Sequence, residues 1–133
     1  NFKNLIDSYS NVHWIGQLDN DSDLLVSAYS NSLLHILPSN PPEFPGISSM
    51  EAGISGTKVI TTKADVTLET FENFVNYCEP TEKSIYDTVI STLDSKSNDK
   101  LQQHLYKNFI WEQVTDKIVN IYEDVNIKYT SKS

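Results

Sequence analysis

The sequence predicts an α/β fold: about four mainly parallel strands flanked by helices, in a partial Rossmann-like domain spanning 1–133. Three observations lead there. Short apolar runs alternate with amphipathic stretches along the chain, the pattern of a parallel sheet sandwiched by helices. The run Leu33 to Leu37 is almost continuously apolar, as expected of a strand covered on both faces. The connections are short and punctuated by Gly, Pro and Ser.

The elements follow in order. Asn1 to Ser10 reads as the tail of a helix, and Val12 to Ile15 as a short strand ending at Gly16. Asp21 or Ser22 can cap a helix whose buried stripe is Leu24, Leu25, Ala28 and Tyr29. After the Leu33 strand, a loop from Pro38 to Pro45 leads to a short helix from Ser48 or Ser49 to Ile54, stopped by Gly56. Val59 to Thr62 is the next strand, Leu68 to Phe74 a short helix or turn, and Phe74 to Tyr77 a weaker fourth strand. Thr81 caps a helix with Ile85, Val89 and Leu93 on one face, and two closing helices occupy 98–125. In sheets of this kind, ligands bind beyond the carboxyl ends of the strands. The loops after Ile15, Leu37 and Thr62 are therefore the ones to read for chemistry.

Composition excludes several classes. All ten basic residues are lysines, and the formal net charge is -8. Nucleic-acid binding relies on clustered cations, so it is not expected. An enzyme handling diphosphates would have to obtain its guanidinium groups elsewhere. Cys78 stands alone, so no internal disulfide forms, and its surroundings lack the cation that would lower a thiol pKa. His13, His35 and His104 are too widely spaced for a metal site; the two on expected strands read as partly buried, and His104 as exposed. Asp19, Asp21 and Asp23 lack the glycine and distant glutamate of a calcium loop and read as helix-capping and solvated residues. Trp14 and Trp111 read as core residues. No apolar run reaches the roughly 18 residues of a membrane span, and no leader peptide is read at the start. Neither a phosphate-binding P-loop nor a G-x-G-x-x-G nor a G-x-S-x-G motif occurs.

The loop after the Leu33 strand carries the one promising constellation. Glu43 lies in the loop and Glu51 about one turn into the next helix, eight positions on. Between them Gly46 permits close approach of a ligand to the backbone. The amides of Ile47 and Ser48 fall at the helix start, where unpaired N–H groups and the helix dipole favour an anion. A diphosphate at the helix mouth, with a carboxylate on either side for hydroxyl groups, is a nucleotide-sugar site in outline. On spacing alone a structural reading stays open, because glutamate pairs and proline-rich loops recur in many proteins.

The wider pattern resembles glycosyltransferase family 4, whose members have the two-domain GT-B architecture. Asn11 to Leu18 is similar to that family's asparagine-valine, apolar, glycine strand, and Leu37-Pro38-Ser39 to its strand-ending proline-serine. Glu43 to Glu51 matches its glutamate, seven residues, glutamate motif. Ala52, Gly56-Thr57 and Val59-Ile60 follow its continuation, and Phe109-Ile110-Trp111 resembles its aromatic-x-tryptophan close. The resemblance covers about Asn11 to Val125.

It implies a carboxy-terminal donor-binding domain that moves a sugar from a nucleotide diphosphate to an acceptor with retention of configuration. Glu43 would act at the donor sugar, Glu51 would bind the ribose hydroxyls, and the backbone at Gly46, Ile47 and Ser48 would hold sugar or diphosphate oxygens. Gln17 and Leu18 would lie beside the base. No cofactor or metal is implied, because positive side chains stabilise the leaving diphosphate. The implied setting is cytoplasmic polysaccharide synthesis, with the parent protein peripheral at the inner membrane face.

Two departures matter. Pro45, within the motif, has no N–H to donate, and Lys58 replaces a common proline. The family's domain also begins with two further strand-helix units that carry its Arg and Lys residues, and an amino-terminal acceptor domain precedes them. Those strands would sit between the Val12 and Leu33 strands in a 3-2-1-4-5-6 sheet. The chain would then close the gap by direct pairing or by self-association, and is expected to be inactive alone. The alternative reading is a non-catalytic Rossmann-like interaction module with an acidic surface.

Overall fold

A computed structural model describes residues 2–42, 44, 46–95 and 99–130. Three parallel strands, β1 (Leu34–Leu37), β2 (Lys58–Thr62) and β3 (Asn76–Cys78), form a sheet in the order β1-β2-β3. The register sets Ile36 against Ile60 and Thr62 against Cys78. Seven helices accompany them among the described residues: α1 (Phe2–Asp7), α2 (Asp23–Ser30), α3 (Ile47–Ile54), α4 (Asp65–Phe71), α5 (Glu82–Asp94), α6 (Lys100–Asn108) and α7 (Trp111–Thr130). The α/β class and the parallel sheet are as the sequence predicts.

The expected strand at Val12 to Ile15 does not form. That segment is irregular, with Val12, Trp14 and Ile15 43%, 61% and 69% exposed. A strand needs a ladder partner to satisfy its backbone groups, and β1 is the edge of the sheet, paired only to β2 among the described residues. Direct closure of the sheet across the gap is therefore not the solution this chain adopts. His13, expected on a strand and partly buried, is exposed with it. β3 begins two residues later than predicted because the ladder starts where Asn76 meets Ile60, while Val75 and Phe74 turn into the core.

The core lies between the sheet and helices α3, α4 and α6. Ala52, Val59, Phe71, Val75, Leu101 and Leu105 are buried together, with Tyr29, Phe74 and Phe109 packed against them. Strand alternation sends Val59 into this cluster and the fully buried Ile60 to the other face; α5 packs against β2 and β3. α3 and α6 approach so closely at Gly53 that an added Cβ would lie 2.7 Å from Leu105 Cδ1.

Local chemistry places each helix. Ser22 caps α2 by accepting from the Leu25 amide at 3.3 Å, and Thr81 caps α5 by accepting from Ser84 at 3.4 Å. α3 ends in a Schellman turn: the Thr57 amide donates to Ala52 O and the Gly56 amide to Gly53 O. Gly56 supplies the positive φ of 88° that this turn requires. Lys58 has a specific task, since its Nζ donates to the carbonyls of Thr92 (2.9 Å), Leu93 (3.4 Å) and Ser95 (2.6 Å). It thereby ties the carboxy-terminal end of α5 to the start of β2.

Three further expectations are corrected. Trp111 is 82% exposed at the start of α7 rather than in the core, and Trp14 lies at the surface. His104 is nearly buried, its side chain 10% exposed, because its Nε2 pairs with Thr70 O at 2.9 Å and its ring packs beside Phe74 and Phe109. A polar side chain at a core-facing helical position is held there by a carbonyl that needs a partner.

Candidate functional site

The loop after β1 is anchored at the carboxyl edge of the sheet by side chains of β2. The buried Thr62 hydroxyl donates to Ser39 O at 2.8 Å, and Thr61 Oγ1 donates to Leu37 O at 3.4 Å. β2 thus fixes where the Pro38-Ser39 segment leaves the sheet. Glu43 and Pro45 lie outside the described residues, so the structure speaks to neither.

Gly46 adopts φ 71°, ψ 58° and serves as the N-cap of α3. A residue with a side chain would be strained in this left-handed conformation. Gly46 O accepts the first amides of the helix, from Ser49 at 2.9 Å and Met50 at 3.1 Å. The amides of Ile47 and Ser48 have no acceptor among the described residues. Ile47 is exposed and Ser48 half-buried, and the dipole at a helix start favours a negative group. Ser49 Oγ, fully buried below Gly46, also lacks a hydrogen-bond partner among the described residues.

Glu51 lies one turn into α3 and is half-buried against α2. Its Oε2 accepts a hydrogen bond from the Tyr29 hydroxyl at 3.2 Å. Burial, followed by the negative charge of Glu51, raises the Tyr29 pKa above that of a free tyrosine, so the phenol keeps its proton and remains a donor. A cleft of about 200 Å³ runs along the α2–α3 seam, lined by Asn20, Leu25, Val26, Tyr29, Glu51 and Ile54. That is smaller than the roughly 300–1,000 Å³ typical of a complete ligand pocket; it suits one portion of a larger ligand. A more enclosed cavity of about 50 Å³, beside Gly53, Lys58 and Gln102, lies at the amino-terminal end of β2, away from this site.

Of the residues singled out in the sequence, Gly46, Ile47, Ser48 and Glu51 are therefore together on α3. Gln17 is exposed and Leu18 half-buried in the segment before α2, and neither lines the cleft. Of the residues named as lining the cleft, only Glu51 was anticipated as a site residue, and two of the others, Tyr29 and Asn20, are polar. Tyr29 reads in the sequence as one more apolar position of a helical stripe, and only its hydroxyl distinguishes it. Asn20 carries no sequence signal. No cluster of His, Cys, Asp and Glu suited to a metal ion occurs among the described residues. Cys78 is buried, and burial followed by the charge of Glu79 raises its pKa, so it is a poor nucleophile.

A parallel sheet flanked by helices, with the start of α3 after its first strand and a carboxylate beside a cleft, is the layout of a Rossmann-like α/β domain. The family model of glycosyl transferases group 1 matches residues 1–110, and the chain belongs to that family. No individual curated protein and no solved structure matches it. The domain is thus of the glycosyltransferase donor-binding type, a partial Rossmann-like domain of GT-B kind. No described helix is long and apolar enough to cross a membrane.

Proposed function

We propose that this chain is the donor-binding part of a retaining family 4 glycosyltransferase that moves a hexosyl group from a nucleoside diphosphate to an acceptor hydroxyl. The observation that carries the proposal is the joint placement of the helix start at Gly46-Ile47-Ser48 and, one turn on, Glu51 beside the α2–α3 cleft. In this reading the donor diphosphate and sugar oxygens meet the α3 amides and Glu51 accepts from the ribose hydroxyls. Glu43 acts at the sugar, with Gln17 and Leu18 towards the base. The bond from the anomeric carbon to the phosphate oxygen breaks and the nucleoside diphosphate departs. The acceptor oxygen bonds to that carbon and gives up its proton. No cofactor or metal takes part; cations stabilising the leaving diphosphate come from the rest of the parent protein, because this chain has no arginine.

An amino-terminal domain of the parent supplies the acceptor site, and the present chain alone is inactive. We place the parent in the cytoplasm, in keeping with a single free cysteine, and peripherally at the inner membrane face in polysaccharide synthesis. The competing reading, a non-catalytic interaction module, draws support from the net charge of -8 and the absence of arginine.

The discriminating experiment is transfer from UDP- and GDP-sugars by the full-length parent. Glu43→Gln is expected to reduce kcat by roughly 100- to 1,000-fold, the scale of losing one group that stabilises developing charge, with circular dichroism unchanged. Glu51→Gln is expected to raise the donor KM. Undiminished transfer by a folded Glu43→Gln variant would leave the interaction-module reading standing.

A further inference from the structure

We infer that Tyr29 is the positioning residue for Glu51: its hydroxyl occupies one carboxylate oxygen and so presents the other to a ribose hydroxyl of a nucleotide donor. The inference rests on the donor-binding reading of Glu51 given above and goes further in assigning a role to a residue on a different helix.

The geometry carries it. The 3.2 Å bond runs from α2 to α3, across 22 positions of sequence, and engages Oε2 alone. Oε1 has no hydrogen-bond partner among the described residues. A carboxylate has acceptor capacity on both oxygens, so one remains for a ligand in the cleft that Tyr29 and Glu51 both line.

Tyr29 is itself held in place. Its carbonyl accepts from the Thr57 hydroxyl, its ring meets the His35 ring edge-on at 5.9 Å and 70°, and its side chain packs against the core cluster. Thr57, the residue before β2, therefore holds α2 at Tyr29, and Tyr29 holds Glu51. A glutamate without that bond would turn about its side-chain torsions, and binding would have to order it each time; fixing it beforehand is preorganisation. A neutral phenol suits this task better than a lysine. It donates one directed bond and leaves the carboxylate charge available to the ligand.

The test compares ribose recognition rather than overall activity. Dissociation constants of the full-length protein are measured by calorimetry for UDP, GDP and ADP and for the 3′-deoxy form of each. For whichever nucleotide binds, the wild type is expected to prefer the ribonucleotide by about tenfold or more, the scale of a hydrogen bond to a charged group. Glu51→Gln should abolish most of that preference. Tyr29→Phe, which keeps the ring, should leave base selectivity intact and reduce the ribose preference to about threefold or less.

A folded Tyr29→Phe variant with the full wild-type preference overturns the inference and leaves the assignment of Glu51 intact. A Glu51→Gln variant with full preference, or a wild type that binds none of the three nucleotides, overturns the donor-binding reading and the inference with it. Should Tyr29→Phe fail to fold, 3-fluorotyrosine in place of Tyr29 supplies the measurement. This more acidic phenol of nearly the same shape should lose the ribose preference at lower pH than the wild type. Superimposable pH profiles overturn the inference.

Discussion

At the scale of single residues, Gly53 and Tyr77 show how far one position can matter. Gly53 is the next-to-last residue of α3, still in helical backbone, where propensity alone would favour alanine by up to about 1 kcal/mol. The contact with Leu101 and Leu105 decides otherwise, because an added Cβ would fall 2.7 and 2.9 Å from their methyl carbons. Gly53→Ala is expected to lower stability by about 1–3 kcal/mol, the usual cost of overpacking, read from urea unfolding. The Tyr77 hydroxyl lies 2.7 Å from Glu72 O and 3.0 Å from Thr67 O, which share its single proton. Burial, followed by the charge of Glu72, pushes its pKa up to about 12. Folding thus favours the neutral phenol. That contribution is present in full below the unfolded pKa of about 10 and is lost as pH rises towards the folded value. The urea midpoint should therefore fall between about pH 10 and 12, and Tyr77→Phe should flatten that fall.

Among the elements, α5 illustrates an attachment that spacing does not reveal. Its amphipathic stripe and Thr81 cap are legible in the sequence, but the clamp at its other end is not. Lys58 reaches three carbonyls, Thr92, Leu93 and Ser95, from a strand more than 30 positions earlier. The ammonium adds a donor to carbonyls at the end of the helix and complements the negative end of its dipole. Lys58→Met keeps most of the aliphatic stem and is expected to cost about 1–3 kcal/mol. Hydrogen exchange should show the loss concentrated in the last turn of α5. The site helix α3 has the opposite balance. Its stop at Gly56 was readable, because turn chemistry is local, whereas its start, expected at Ser48 or Ser49, falls at Ile47 behind a glycine cap. Its link to Tyr29 on α2 was not readable, because a hydroxyl within an apolar stripe looks like any other core position until the neighbouring helix is in place.

For the molecule as a whole, the sheet is short, with β1 and β3 as its two edges among the described residues. β2 is central and almost entirely buried, whereas β1 has no second partner among the described residues. α7 extends from α6 with Trp111, Ile121, Tyr122 and Ile127 each more than 60% exposed. Stability should follow this layout: amides of Val59, Ile60 and Thr61 should be among the slowest to exchange, and those of His13 and Ile15 should exchange with little protection, as measured by hydrogen–deuterium exchange. Strong protection at His13 and Ile15 would mean that this segment pairs after all.

What the sequence determined by itself was local and periodic. The α/β class, the β1 and β2 strands, the Thr81 cap, a cap at Asp21 or Ser22 and the placement of Glu51 on a short helix follow from apolar spacing and turn chemistry, which act over a few residues. Tertiary structure alone decided the rest. Val12 to Ile15 has the composition of a strand, yet a strand exists only where another chain segment accepts its hydrogen bonds. The exposure of both tryptophans, the burial of His104 against Thr70, the grip of Lys58 on α5 and the bond from Tyr29 to Glu51 likewise depend on which distant groups folding brings within reach.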